Sequence, residues 1–154
     1  THIFVPLFVI SVLYRKGVAN KRSFVEAVRR TFPAPWGNED TQMLIDILGK
    51  YQVKATFFLV GDWVDKYPES VKALHEAGME VMNHSNHHDH YNTLSADQII
   101  SDVTACNEKV RAITGVAPTL IRCPYGEYDD HVISAIRSMG MEPIQWDVEP
   151  LATG

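Results

Sequence analysis

Apolar residues from position 39 onward alternate between helical spacing and short continuous runs. Residues 39–51 carry apolar side chains at three- and four-residue intervals, which predicts an amphipathic helix. The run Val53 to Val60 is β-branched and aromatic, as expected for a strand buried on both faces of a parallel sheet. A second helix follows, because Pro68 suits its first turn and Gly78 suits the left-handed position just past its end.

The same alternation continues toward the C-terminus. Ser95 and Gln98 form a capping-box pattern that predicts a helix closing at Gly115. Short apolar runs predict strands at 80–83, 119–122 and 143–147, and a further helix is predicted at 130–139. Repeated βα units indicate an α/β domain with a parallel sheet. In closed sheets of this type chemistry lies at the C-terminal strand ends, where the polar clusters 84–90, 122–125 and 146–147 fall.

The N-terminal segment is apolar from Ile3 to Tyr14, interrupted only by Pro6 and Ser11. It is too short to span a bilayer as a helix. Two interpretations stay open on length alone. The segment is either the remaining end of a signal or anchor sequence, or a buried strand.

Composition narrows the class of protein. The chain has 154 residues, 45% of them hydrophobic, which is enough for one sizeable core and predicts a single globular unit. The formal net charge is −5, and basic residues are scattered, so nucleic acid is excluded as an expected partner. Cys106 and Cys123 lack the close pairing of a zinc knuckle or disulfide scaffold, so we expect both to be reduced or buried.

Four of the seven histidines lie within seven consecutive positions directly after a predicted strand: His84, His87, His88 and His90. Neutral imidazole is the commonest protein ligand for zinc and similar metals. His84 and His88 have a spacing that lets two rings converge on one ion if the loop coils. The alternative is a solvated loop that happens to be rich in histidine, because two histidines do not complete a metal site.

Three motifs in order resemble one known family. The stretch HSNHH at 84–88 resembles a metal-binding H-[S/T]-x-x-H motif, RCPYG at 122–126 resembles R-x-P-Y-G, and WD at 146–147 matches a fourth motif. Together these stretches resemble the polysaccharide deacetylases of carbohydrate esterase family 4, also called the NodB-homology domain. Within that family the sequence is most similar to sporulation-type and cell-wall peptidoglycan deacetylases.

The resemblance implies a fold and an activity. The fold is a distorted seven-stranded (β/α) barrel. The activity is metal-dependent hydrolysis of N-acetyl groups on an amino-sugar polysaccharide, either peptidoglycan or a chitin-like polymer. His84 and His88 would bind the divalent metal, expected to be zinc. An extracytoplasmic location at the cell wall is also implied, with membrane contact only if the N-terminal apolar segment is an anchor remnant.

The resemblance also assigns roles in catalysis and substrate binding. The backbone N–H of Tyr125 would bind the oxyanion, and Arg122 would orient the catalytic base together with Asp147. Tyr125 and Trp146 would offer flat apolar faces to a sugar ring. For Trp146, ordinary core packing is an equal alternative, since its strand is otherwise apolar.

One motif departs from the family pattern. The family's first motif reads T-F-D-D-G-P, whereas residues 31–36 read TFPAPW. Pro33 stands where the catalytic base is expected, and its side chain cannot accept a proton. Ala34 stands where a metal ligand is expected, and its side chain cannot coordinate a metal. Losing a general base typically lowers a rate by about 10² to 10⁴. We therefore expect reduced or absent turnover, and the alternatives are a non-catalytic carbohydrate-binding pseudoenzyme or a truncated gene product.

The domain prediction follows from these matches. Residues 1–30 are an atypical N-terminal segment, and residues 31–154 are the deacetylase domain. Ser23 and Glu26 form a capping-box pattern that predicts a helix at 23–30, where the family has its first barrel strand. The sequence ends before the family's fifth motif. We therefore expect the barrel to be incomplete at both ends.

Overall fold

The computed structural model describes residues 2–5, 8–13, 41–52 and 54–144. Its strands are β1 (His2–Val5), β2 (Phe8–Leu13), β3 (Lys54–Leu59), β4 (Glu80–Asn83), β5 (Leu120–Ile121) and β6 (Glu142–Pro143). Its α-helices are α1 (Thr41–Lys50), α2 (Gly61–Lys66), α3 (Pro68–Glu76), α4 (Ala96–Thr114) and α5 (Asp130–Ser138). Two short 3₁₀ turns cover Tyr91–Thr93 and Pro124–Gly126.

The described strands form one six-stranded sheet in sequential order, from β1 to β6. Strands β3 to β6 are parallel, with helices in their connections, which confirms the predicted α/β class. The expectation of a parallel sheet does not extend to the N-terminus, because β1–β2 and β2–β3 pair antiparallel. Within the described residues the sheet is open, with β1 and β6 at its edges.

The apolar N-terminal segment forms the β1–β2 hairpin. Its register pairs Ile3 with Ile10 and Val5 with Phe8. Of the two interpretations that the sequence left open, the described backbone supports a strand. Within the described ranges, none of the helices has the length and apolar character needed to cross a membrane.

The helix predicted between β3 and β4, with Pro68 in its first turn and Gly78 just past its end, is α3. A shorter helix, α2, precedes it and was not predicted, and the two are separated at Tyr67, which adopts φ −130° and ψ 57°. The break has a local cause. A residue that precedes proline is disfavoured in the α region, and Pro68 is the first residue of α3.

Two clusters of buried side chains hold the sheet and helices together. The first cluster packs α1, α2 and α3 against β3, and includes Leu48, Phe57, Trp63 and Leu74. The second cluster packs α4 and α5 around β5. Its buried members are Tyr91, Ile99, Val103, Ile121, Cys123, Val132, Ala135, Ile136 and Met141.

Helix α4 begins and ends as its sequence predicts. The Ser95 hydroxyl accepts the Gln98 N–H at 3.2 Å, and the Gln98 side chain accepts the Ser95 N–H at 2.9 Å. At the other end Gly115 has φ 78°, a left-handed conformation that glycine adopts at little cost. Both ends of the longest described helix are therefore fixed by local sequence.

Replacing Ser95 by alanine is expected to lower the free energy of unfolding by about 1 kcal/mol, because the cap hydrogen bond is lost. Ser101→Ala is the matched control, since Ser101 is an exposed residue of the same helix. That control should change stability by less than about 0.5 kcal/mol. Denaturant unfolding measures both values, and equal losses in the two variants would contradict the assigned cap.

Candidate metal and substrate site

The histidine loop, residues 84–91, follows β4 directly and begins with a tight turn. The side-chain Oδ1 of Asn83 accepts the Ser85 N–H at 2.7 Å, and the Ser85 hydroxyl accepts the His88 N–H at 2.8 Å. Ser85 and His88 have φ values of 73° and 61°, in the left-handed region that side chains other than glycine rarely adopt. The turn coils the loop so that His88 returns toward the end of the strand.

His84 is buried at the carboxyl end of β4, with 1% of its surface exposed. Its Nδ1 lies 2.6 Å from the backbone oxygen of Arg122, which directly follows β5. Because a carbonyl oxygen can only accept, Nδ1 carries the proton and Nε2 keeps a free lone pair. Burial lowers the pKa of His84 to about 4, so the ring is neutral near neutral pH.

The His88 ring packs edge-on against His84, with their centroids 5.0 Å apart. Burial also lowers the pKa of His88. The Nε2 atoms of both rings are buried, and neither has a hydrogen-bond partner among the residues that the structure describes. A buried nitrogen without a partner is costly unless something else binds it. Two neutral imidazoles with such nitrogens fit a divalent metal.

The described part of the chain supplies only these two ligands. It contains no group of three or more His, Cys, Asp or Glu side chains that could hold a metal. Cys123, which follows Arg122, is buried in the second cluster, and burial raises the pKa of its thiol to about 12. Pro33 and Ala34, which stand at the family's aspartate positions, lie outside the described residues.

Arg122 and Tyr125 extend the site along the end of β5. Arg122 is buried, and its guanidinium carbon lies 4.9 Å from the centre of the Phe58 ring. Tyr125 has φ 59°, and 58% of its surface is exposed. Its ring meets His88 edge-on at 4.7 Å. The structure thus brings Arg122, Tyr125 and both candidate metal ligands to adjacent strand ends, as the sequence predicts, whereas Trp146 and Asp147 lie outside the described residues.

His90 and Glu127 form a pair beside Tyr125 that sequence reasoning missed. The His90 ring stacks on the Tyr125 ring with centroids 3.9 Å apart and planes within 10°. His90 Nδ1 lies 2.8 Å from the Glu127 carboxylate, and this hydrogen bond lowers the pKa of Glu127. The His90 side chain is 54% exposed. Stacking between two loops leaves no periodic signal in a sequence.

A second missed pair joins the histidine loop to α2. The His87 side chain is 54% exposed and places Nδ1 2.9 Å from Asp62 Oδ1. This hydrogen bond raises the pKa of His87. A usable signal was present, because Asp62 comes just after β3 and the ends of parallel strands meet at one edge of the sheet.

Gly61 is the point where α2 touches the histidine loop. Its N–H donates to the Ser85 carbonyl at 2.9 Å, and a Cβ at this position would lie 2.1 Å from Asn86 Oδ1 and 3.1 Å from Asn86 Cα. Replacing Gly61 by alanine should therefore lower the free energy of unfolding by about 1–3 kcal/mol.

Gly49→Ala is the control for that substitution. Gly49 lies in α1, and a Cβ there would meet nothing within 4 Å. Alanine should be neutral or stabilising at this position, by up to about 1 kcal/mol, because it favours helix. Thermal and denaturant melts of both variants test the contrast, and a Gly61→Ala variant as stable as the parent would disprove the close contact.

The comparisons with known proteins agree on one family. A family model described as polysaccharide deacetylase matches residues 26–144. The peptidoglycan-N-acetylmuramic acid deacetylase PdaA of Bacillus subtilis (strain 168) is 34% identical over 119 residues, which are 77% of this chain and 45% of that protein. Chitin deacetylase 1 of Cryptococcus neoformans is 32% identical over 114 residues, which are 74% of this chain and 23% of that protein.

Among solved structures, a CE4 family pseudoenzyme from Bacillus anthracis is 35% identical with a TM-score of 0.69, covering 73% of this chain and 40% of that one. A mutant of that pseudoenzyme is described as having restored enzymatic activity. The present chain spans less than half the length of the two curated relatives described above.

Proposed function

Since the chain belongs to the polysaccharide deacetylase family, carbohydrate esterase family 4, we propose that its site binds an N-acetylated polysaccharide and hydrolyses the acetamide with the help of a divalent metal. The observation that carries this proposal is the pair of buried Nε2 atoms on His84 and His88, which have no hydrogen-bond partner among the described residues. These two side chains would hold the metal, and imidazole ligands favour zinc. When bound, a divalent cation activates water and polarises the acetamide carbonyl.

The remaining residues of the site would bind and orient the substrate. Tyr125 presents a half-exposed ring on which a sugar can lie, and its backbone N–H would donate to the oxyanion. By the family resemblance, Arg122 and Asp147 would together orient the catalytic base, whose position in this chain is taken by Pro33. Trp146 would close the opposite wall of the groove.

Turnover is expected to be strongly reduced by the first motif. Pro33 cannot accept a proton, and Ala34 cannot coordinate a metal. The two histidines would then hold the ion with fewer protein ligands than a catalytic zinc site usually has, since three are typical. We therefore expect the site to bind substrate and metal but to hydrolyse the amide slowly or not at all.

A non-catalytic carbohydrate-binding protein is the second candidate function. The observation that favours it is the similarity to a solved structure described as a pseudoenzyme. The exposed Tyr125 ring would serve binding equally well without any hydrolysis. On this reading the groove and its aromatic side chains persist while the catalytic base is absent.

The names of the relatives point to candidate substrates and, through them, to a location for this protein. Peptidoglycan is the substrate class that the name of PdaA gives, and chitin is the class that the name of the Cryptococcus protein gives. We favour peptidoglycan and an extracytoplasmic location at the cell wall. The deacetylase domain in this proposal is 31–154, and the family model begins slightly earlier, at residue 26.

Acetate release and saccharide affinity, measured with and without a chelator, distinguish the two candidates. An oligomer of N-acetylglucosamine and a peptidoglycan fragment are the probes. Slow acetate release that stops on chelation and returns with Zn²⁺ supports the hydrolase. Saccharide binding that survives chelation, with no acetate at any metal concentration, supports the binding protein and excludes hydrolysis.

A further inference from the structure

The histidine loop is fastened to α4 by two polar side chains. Asn83, fully buried at the end of β4, donates through Nδ2 to the Val103 carbonyl at 3.1 Å and to Asn107 Oδ1 at 2.8 Å. Asp102, on the same helix, accepts the Asn86 N–H at 3.0 Å and the Tyr91 hydroxyl at 2.5 Å, both on Oδ2. One carboxylate oxygen therefore holds both Asn86 and Tyr91 of the histidine loop.

This loop needs external contacts to keep its shape. Two of its residues, Ser85 and His88, lie in the left-handed region, which is unfavourable for side chains with a Cβ. Such conformations persist only where surrounding contacts determine them. His88 lies between Asn86 and Tyr91, the two residues that Asp102 holds, so the Asp102 carboxylate limits where the His88 ring can go.

Tyr91 is a rigid end point for this contact. It is fully buried in the second cluster, to which Ile99 and Val103 of α4 also belong. Its hydroxyl can only donate to an ionised carboxylate. Asp102 thus connects the loop both to its own helix and to the packed core, and charge-assisted hydrogen bonds of this kind are stronger than neutral ones.

We propose that Asp102 is a positioning residue that holds His88 Nε2 beside His84 Nε2, so that the two imidazoles bind one divalent cation. This inference rests on the proposed function, in which His84 and His88 are the metal ligands. Asp102 touches neither the metal nor the substrate. It acts through the Asn86 N–H and the Tyr91 hydroxyl.

The test compares three variants with the parent chain, with Co²⁺ alone as the probe. Asp102→Ala removes both hydrogen bonds, and Tyr91→Phe removes one. Asp102→Asn keeps an amide oxygen that can accept both. Loss of a residue that supports metal ligands typically weakens metal affinity by about 10- to 100-fold. We expect that loss for Asp102→Ala, a smaller loss for Tyr91→Phe, and near-parental affinity and Co²⁺ spectrum for Asp102→Asn.

General destabilisation is controlled by a core variant on the same helix. Val110 is buried in the first cluster, away from the loop contacts. Val110→Ala should lower the melting temperature while its Co²⁺ affinity and absorption bands stay as in the parent chain. Parental Co²⁺ affinity in folded Asp102→Ala, or an equal loss of affinity in Val110→Ala, overturns the proposal.

A metal-free measurement separates this inference from the proposed function. Amide hydrogen exchange of Asn86 and His88 reports the order of the loop without any ion, because both N–H groups are hydrogen-bonded in the structure. Asp102→Ala should speed exchange at both amides by about tenfold or more, because the charged hydrogen bond that orders the loop is lost. Asp102→Asn should leave the exchange rates unchanged. If the parent chain binds no Co²⁺, the proposed metal function fails, and unchanged exchange in Asp102→Ala disproves the positioning role itself.

Discussion

Alanine at both His84 and His88 is expected to reduce bound metal from close to one ion per chain to none. The physical reason is that these side chains provide two buried nitrogen atoms with no hydrogen-bond partner among the described residues, on rings whose centroids lie 5.0 Å apart. Removing either ring leaves a single imidazole, and one neutral ligand cannot retain zinc against water. Elemental analysis of the dialysed, folded proteins gives the stoichiometry directly.

Two histidines of the same loop provide the matched control. His87 and His90 are each 54% exposed and point to carboxylates, Asp62 and Glu127, instead of to the His84 ring. A His87→Ala, His90→Ala double variant should therefore keep its metal. The parent chain should also gain thermal stability with added Zn²⁺, because a ligand that binds only the folded state raises its melting temperature. Equal metal content in the two double variants would show that the ion lies elsewhere.

Aspartate at both position 33 and position 34 is expected to raise deacetylation by about 10² to 10⁴, the usual contribution of a general base. Pro33→Asp supplies a proton acceptor, and Ala34→Asp supplies a third metal ligand. The mutant of the related pseudoenzyme that is described as having restored activity indicates that this family can regain turnover by substitution. Acetate release from an N-acetylglucosamine oligomer, at saturating Zn²⁺, measures the gain.

Asparagine at the same two positions controls for the loss of proline and for side-chain size. An amide has nearly the shape of a carboxylate but cannot act as a base at neutral pH. The Asn variant should therefore stay at the parental rate. Equal rates in the Asp and Asn variants would mean that the first motif is not what limits turnover in this chain.

Local signals in the sequence account for the parts of the fold that were predicted well. The strand Glu80–Asn83 lies where its short apolar run predicts. Ser95 and Gly115 fix the ends of α4 through hydrogen bonds and backbone conformation that depend only on neighbouring residues. His84 was predictable as a strand-end residue because the side chain that follows a buried parallel strand projects at the edge where loops gather.

Contacts between distant segments explain what the sequence left out. The antiparallel pairing of β2 with β3 joins residues more than forty positions apart, for example Leu13 and Lys54. An apolar run predicts a strand but does not indicate which strand it pairs with. Asp102 reads as an ordinary charged residue of a helix until the fold sets it against Asn86 and Tyr91. The division of α2 from α3 did have a local signal in Pro68, which disfavours helix at the preceding residue.

The two buried thiols, Cys106 and Cys123, can report transient local opening of the folded protein. Burial raises the pKa of Cys106 and of Cys123 to about 12, so almost no thiolate exists near neutral pH, and alkylating reagents react with the thiolate. Cys106 lies against the Leu59 carbonyl of β3, whereas Cys123 belongs to the second cluster. Labelling at each sulfur therefore requires its own surroundings to open, and the two alkylation rates compare how readily the contact of α4 with β3 and the second cluster open.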